Sequence, residues 1–211
     1  GAFTPIIMHL FRYLLLLFFL LATLQVNSQT VCDLESRAKL EASLEKFSNS
    51  TYSQLETGDL VATIGKSFLG TPYVEKTLEL PGKEQVVINL KGLDCTTFVE
   101  SVLAVTLTLK QGDFQFDEVA STLESMRYLN GKNTGYGSRL HYFSDWIFEN
   151  EKAGRITHLS KSLGGIASPN IPSFMSANPM AYPQLTDPTN LAFIQEREAT
   201  LASRETYFIP K

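Results

Sequence analysis

The chain has 211 residues, 44% hydrophobic and 19% charged, with a formal net charge of -4 and a pI near 5.4. These proportions fit one globular domain with extensions. The acidic balance excludes an electrostatic nucleic-acid binder, because a surface that tracks phosphates needs a clear basic excess.

In chain order, "MHLFRYLLLLFFLLATLQVNSQT" begins at Met8, carries His9 and Arg12, and runs apolar from Tyr13 to Leu24. That run is short for a bilayer span and fits the apolar region of a secretory signal peptide, with an uncleaved anchor as the alternative. "GAFTPII", ahead of Met8, reads as upstream sequence. Gln29, Thr30 and Val31 before Cys32 do not form a lipid-attachment signal. We expect cleavage near residues 27 to 30 and export, periplasmic or otherwise, with residues 31 to 211 as a single domain. Export means an oxidising compartment, so a Cys32–Cys95 disulfide is one possible fate of the two cysteines.

Residues 34 to 47 read as an amphipathic helix with Leu34, Ala38, Leu44 and Phe47 on its apolar side. A second helix spans 58 to 69 and stops at "GTP". "YVEKTLEL" is strand-like, "PGKE" a turn and "QVVINL" a β-branched strand. A helix follows Asp94, and another covers 115 to 129. "NGKNTGYGS" reads as an exposed, mobile loop. "SRLHYFSDWIFENEKAG" reads as one helix with Leu140, Phe143, Trp146 and Ile147 on one side, "GRITHLS" as a short strand, and 164 to 188 as an irregular excursion. "NLAFIQEREATLAS" is a last helix and "ETYFIP" a last strand. The class is α+β, with few strands for a sheet.

Within "GLDCTTFVES", Asp94 is a good N-cap and places Cys95 at the first helical position. Leu93 and Phe98 fall at the positions of a hydrophobic staple. Phe98, Val102, Val105 and Leu109 form one apolar stripe, so the helix is expected to be buried and its first turn rigid. Free N–H groups and the positive end of the helix dipole then face the thiol, which favours the reactive thiolate and an adjacent oxyanion. The alternative is a buried, inert cysteine at a helix start.

A cysteine nucleophile needs a base, usually histidine, and a group to orient it. Beyond the signal segment only His141 and His158 remain. His141 and Asp145 are four apart and, on one helix, would share a face, as an oriented base or as a local surface contact. His158 reads as a strand residue. With so few histidines a zinc site is not expected, and "GKNTGYG" lacks the Lys-Ser/Thr pair of a phosphate loop. No cofactor is expected.

"GTPYV" followed by "LDCTTFVE" resembles the NlpC-type cell-wall cysteine hydrolases of the papain-like clan. "TLEL", "LDCTTFVE", "SRLHYFSDWI" and "FMSANPMAYPQL" resemble, in order, blocks of its N-acetylmuramoyl-L-alanine amidase-like branch, over about residues 55 to 211. The resemblance implies a papain-like core, with the Cys95 helix packed on an antiparallel sheet. It also implies an exported peptidoglycan hydrolase in which Cys95 attacks the amide joining N-acetylmuramic acid to L-alanine. A D-glutamyl–diamino-acid endopeptidase is the alternative within the clan, and a non-catalytic cell-wall-binding domain the alternative outside catalysis. Peptidoglycan or a muropeptide is the implied partner, without nucleic acid and without stable membrane insertion after signal cleavage. Arg139, His141, Tyr142 and Asp145, joined by Tyr73 and Glu79, are the implied substrate-gripping residues. The pattern departs at one place. The family's base histidine is expected on a strand after "YFIP", closely followed by Gly, and this sequence ends at Lys211. The domain is therefore expected to lack its C-terminal part and to be inactive alone.

Overall fold

The computed structural model describes residues 30–169 and 171–210; the expected signal segment lies outside them. A short strand, β1 (Thr30–Cys32), leads into α1 (Leu34–Phe47), whose N-cap Asp33 accepts from the Ser36 N–H. The helix has the expected bounds, but its buried side is Ser36, Leu40, Leu44 and Phe47, and Leu34 is exposed. Ser36 can sit inside because its hydroxyl is satisfied, donating to Asp33 and accepting the Leu90 N–H.

The single turn α2 (Ser50–Ser53) and helix α3 (Thr57–Lys66) follow, α3 burying Leu60 and Ile64. The strand-like stretch 73–80 is irregular instead. An isolated parallel bridge, Tyr73 to Leu93, is its one strand-like pairing among the described residues, and a turn at Lys76 breaks its alternation. Strand β2 (Val86–Ile88) is fully buried and pairs with β1 in parallel, Thr30 opposite Val86. Helix α4 (Cys95–Lys110) packs on α3 and on α5 (Phe116–Arg127). One core joins these elements through Leu40, Ile64, Val86, Val105, Leu123 and Trp146. Inside it, Arg127 donates to Glu100 at 2.8 Å and to the Val87 carbonyl at 2.7 Å, linking α5, α4 and β2.

The loop after α5 is exposed at Asn130, Lys132 and Thr134, as expected, but its end turns inward. Tyr136, Gly137 and Ser138 are buried, and a Cβ on Gly137 would lie 2.7 Å from the Phe193 ring. The next helix, α6 (Phe143–Lys152), starts five residues later than the sequence pattern suggested. Residues 139 and 140 are held extended by the Tyr128–Arg139 bridge and by the Leu140 N–H donating to Arg127. The "GRITHLS" stretch forms no strand.

Strand β3 (Ile166–Pro169) pairs antiparallel with β4 (Glu205–Phe208). Between them lie α7 (Phe174–Ala177), two 3-10 turns, and α8 (Pro188–Ala202), capped by Asp187. Tyr136, Met175, Leu185 and Ile194 form a second, smaller core. The molecule is α+β, but the sheet behind the Cys95 helix differs from expectation. Among the described residues the pair in the main core, β1–β2, is parallel, and the antiparallel pair β3–β4 is a separate sheet.

Candidate active site

Asp94 caps α4 with a complete box: its carboxylate accepts from the Thr97 N–H at 2.8 Å, and its own N–H donates to the Thr97 hydroxyl at 2.9 Å. Cys95 is thereby fixed as the first helical residue, exposed and unpaired with Cys32. The N–H groups of Cys95 and Thr96 have no acceptor among the described residues. Phe98 meets the edge of Phe68, 5.9 Å between ring centroids.

Tyr73 lies beside the thiol, 66% exposed, in the bridge to Leu93. Its hydroxyl pKa is raised, first by lost hydration and then by negative charge on Glu75, Cys95 and Asp94. Gly92 permits this arrangement: any Cβ there would come within 2.4 Å of Val74 Cγ2.

A cleft of about 580 Å3 opens next to Cys95 and is lined by its neighbours Asp94 and Thr96. Lys76, Leu78 and Glu79 contribute from one segment, and Arg139, Leu140, His141 and Tyr142 from a second. Phe174, Met175, Met180 and Tyr182 contribute from a third.

Arg139 is buried under this lining. Its Nη2 donates to Glu79, its Nε lies 3.4 Å from Glu84, and its guanidinium stacks 5.0 Å from the Tyr136 ring centre. Burial opposes its charge, but Glu84 and Glu79 outweigh that and hold its pKa above the ordinary value. Glu84, which also accepts from Tyr128 at 2.9 Å, has its carboxyl pKa raised, chiefly by burial. One Glu79 oxygen and the Tyr136 hydroxyl are buried without a hydrogen-bond partner among the described residues.

The half-buried His141 ring faces the Tyr136 carbonyl through Nε2 at 2.9 Å. A carbonyl accepts, so in the neutral ring the proton sits on Nε2 and Nδ1 keeps its lone pair. Burial first, and then the charge of Arg139, push its pKa down to about 3. Tyr142 donates to Glu198 at 2.6 Å and accepts the Met175 N–H; its pKa is pushed up to about 12, mainly by burial.

Tyr73, Glu79, Arg139, His141 and Tyr142 thus gather around Cys95 and its cleft, whereas Asp145 does not join them. With α6 starting at Phe143, Asp145 and His141 no longer share a helix face. Asp145 is buried between Arg197, at 2.6 Å, and Arg204, at 2.8 Å, where it ties α6 to α8. His158 lines a different cavity, of about 770 Å3, with Phe143, Phe148, Arg204 and Tyr207. No three His, Cys, Asp or Glu side chains among the described residues gather as a metal site.

Sequence reasoning missed Lys76, Met180, Tyr182 and Glu198. The signal for two of them was present in "FMSANPMAYPQL", a loop that places large apolar side chains on the surface, Phe174 at 63% and Met180 at 89% exposure.

A family model described as AmiA-like, N-acetylmuramoyl-L-alanine amidase-like, matches residues 63–211. The chain belongs to this family. A crystal structure of an N-acetylmuramoyl-L-alanine amidase from Bacteroides uniformis is similar, with 37% identity and a TM-score of 0.69. The match covers 73% of this amidase-like chain and 65% of that one. A Bacteroides fragilis protein provisionally named a xylanase is also similar, with 37% identity, a TM-score of 0.65, and coverage of 69% of this chain and 64% of that one. This chain therefore spans just under two thirds of the length of these relatives. No curated protein matches it.

Proposed function

We propose that the chain is an exported peptidoglycan hydrolase of papain-like, NlpC-type architecture: a cysteine-dependent amidase acting on the bond between N-acetylmuramic acid and L-alanine. The reading is carried by Cys95, an exposed thiol at the first position of a capped, buried helix, with both neighbouring residues lining the cleft. Its sulfur attacks the amide carbonyl carbon, and the oxyanion forms beside the open N–H groups of Cys95 and Thr96. The C–N bond then breaks, the L-alanine amine leaves with a proton, and water hydrolyses the thioester and restores the thiol. Tyr73, Glu79, Arg139, His141 and Tyr142 hold substrate or support the groups that do.

His141 does not fit the base. Its Nε2–H is held by Tyr136, and a nitrogen with a pKa near 3 is far from the neutral range in which general bases work. The family resemblance points to a histidine on a strand after Tyr207-Phe208-Ile209-Pro210. Glycoside hydrolysis, the chemistry in the Bacteroides fragilis protein's name, is less well supported. It needs two working carboxylates, and here Glu79 is paired with Arg139 while Asp94 is engaged in the helix cap.

The test incubates peptidoglycan with this chain and with a form extended by the family's histidine-bearing strand. The extended form is expected to release glycans ending in free muramic acid and peptides with a new L-alanine amine. Cys95→Ala abolishes this release and His141→Ala only weakens it. Release by the 211-residue chain itself, lost as fully in His141→Ala as in Cys95→Ala, would instead make His141 the base. New diamino-acid amines would place the activity with the D-glutamyl endopeptidases, and binding without products in every form would leave a cell-wall-binding module. Export is checked by N-terminal sequencing of secreted protein, with a mature start expected near residues 27 to 30.

A further inference from the structure

Lys76 carries a φ of 60°, the left-handed region that a lysine rarely occupies. Such backbone persists where the surroundings impose it, often at binding sites. Here it follows the Tyr73–Leu93 bridge and is closed by the Glu79 N–H donating to the Lys76 carbonyl. The turn brings the exposed Lys76 to the cleft beside Glu79.

The charges around the cleft are otherwise committed. Arg139 is neutralised by Glu79 and Glu84, and the Asp94 carboxylate serves the cap of α4. His141 is uncharged at neutral pH. No carboxylate among the described residues pairs with Lys76. Carboxylates outnumber cations around the cleft, but Lys76 is a lining cation without an ion pair among the described residues, and its local complement is an anion carried by the ligand.

We propose that Lys76 is a specificity-determining residue that recognises a free carboxylate on the peptide part of the substrate. This rests on the peptidoglycan reading above, and deepens it by stating which feature of the stem peptide the cleft selects. The carboxylate can belong to the D-glutamyl residue or to the peptide's C-terminal end. The chemistry at the ammonium is the same, so the experiment separates the two.

The measurement is calorimetric titration at low salt, in a Cys95→Ala background that prevents turnover. The ligands are a muramoyl tripeptide, the same compound amidated at the D-glutamyl carboxylate, and the same compound amidated at its C-terminus. One amidation is expected to weaken binding about fivefold, in the range of a partly exposed ion pair. Lys76→Met should weaken the parent ligand to the same level and leave that amidated ligand unchanged, whereas Lys76→Arg keeps the preference. Lys76→Gly removes the charge but suits the positive φ, so it should lose the preference while keeping or raising the melting temperature. Equal loss for all ligands in Lys76→Met, or a parent ligand indifferent to both amidations, overturns the assignment of Lys76 alone. No binding of any ligand by the Cys95→Ala chain overturns the peptidoglycan reading, and this assignment with it.

Discussion

His141 reaches the cleft with its Nε2–H donating to the Tyr136 carbonyl, and the fold holds it neutral. Its folded pKa, about 3, lies below the value near 6.5 of a free imidazole. Between these two values the unfolded chain binds the proton and the native chain does not, so this group's contribution to stability falls as pH drops through that window. Glu84, whose carboxyl pKa is raised by burial, acts in the opposite direction at the acid end. The His141 contribution is isolated by comparison with His141→Gln, which keeps an N–H donor for Tyr136. From pH 7 to pH 4 the wild type is expected to lose stability relative to that variant, read as a growing difference in urea midpoints. The same depression makes His141 a fixed hydrogen-bonding surface rather than a proton shuttle.

At the scale of elements, the buried Arg127–Glu100 pair is what three elements share. The guanidinium of α5 meets the α4 carboxylate and the Val87 carbonyl of β2, with both side chains nearly inaccessible. Removing one partner leaves a buried charge uncompensated and typically costs about 3–5 kcal/mol. Arg127→Met is therefore expected to lower stability by that order, and adding Glu100→Gln should recover part of the loss. A double-mutant cycle on denaturation midpoints measures the coupling. The geometry also bears on the site, because Glu100 lies on the same helix as Cys95, so the pair fixes where the thiol's helix sits against β2.

For the molecule as a whole, the sequence revealed what local chemistry determines. Asp94 marked the start of α4, since a capping side chain acts within three residues. Cys95 was legible for the same reason. The failures are non-local. The 138–154 stretch has helical periodicity throughout, yet its first residues are held extended by Tyr128 and Arg127. The end of the glycine-rich loop before it, residues 136 to 138, is buried, and Phe193, far along the chain, packs on Gly137 there. Tyr142 and Glu198 also meet only in the fold, and no spacing rule joins Lys76 to Tyr182 across the cleft.

The parallel pairing of Thr30 with Val86 has a consequence for folding. Between the two partners run α1, α2 and α3, so β1 can be seated only after a long loop has closed. Pairings of that kind form slowly. Until β1 docks, the Val86-Val87-Ile88 edge, fully buried in the finished protein, has no partner on that side. An unpaired apolar edge is a template for other chains. Refolding yield is therefore expected to fall with protein concentration, and in pulsed hydrogen exchange the Val31 and Cys32 amides should gain protection after those of α4. Thr30, Val31 and Cys32 thus serve as a lid on the apolar edge of β2.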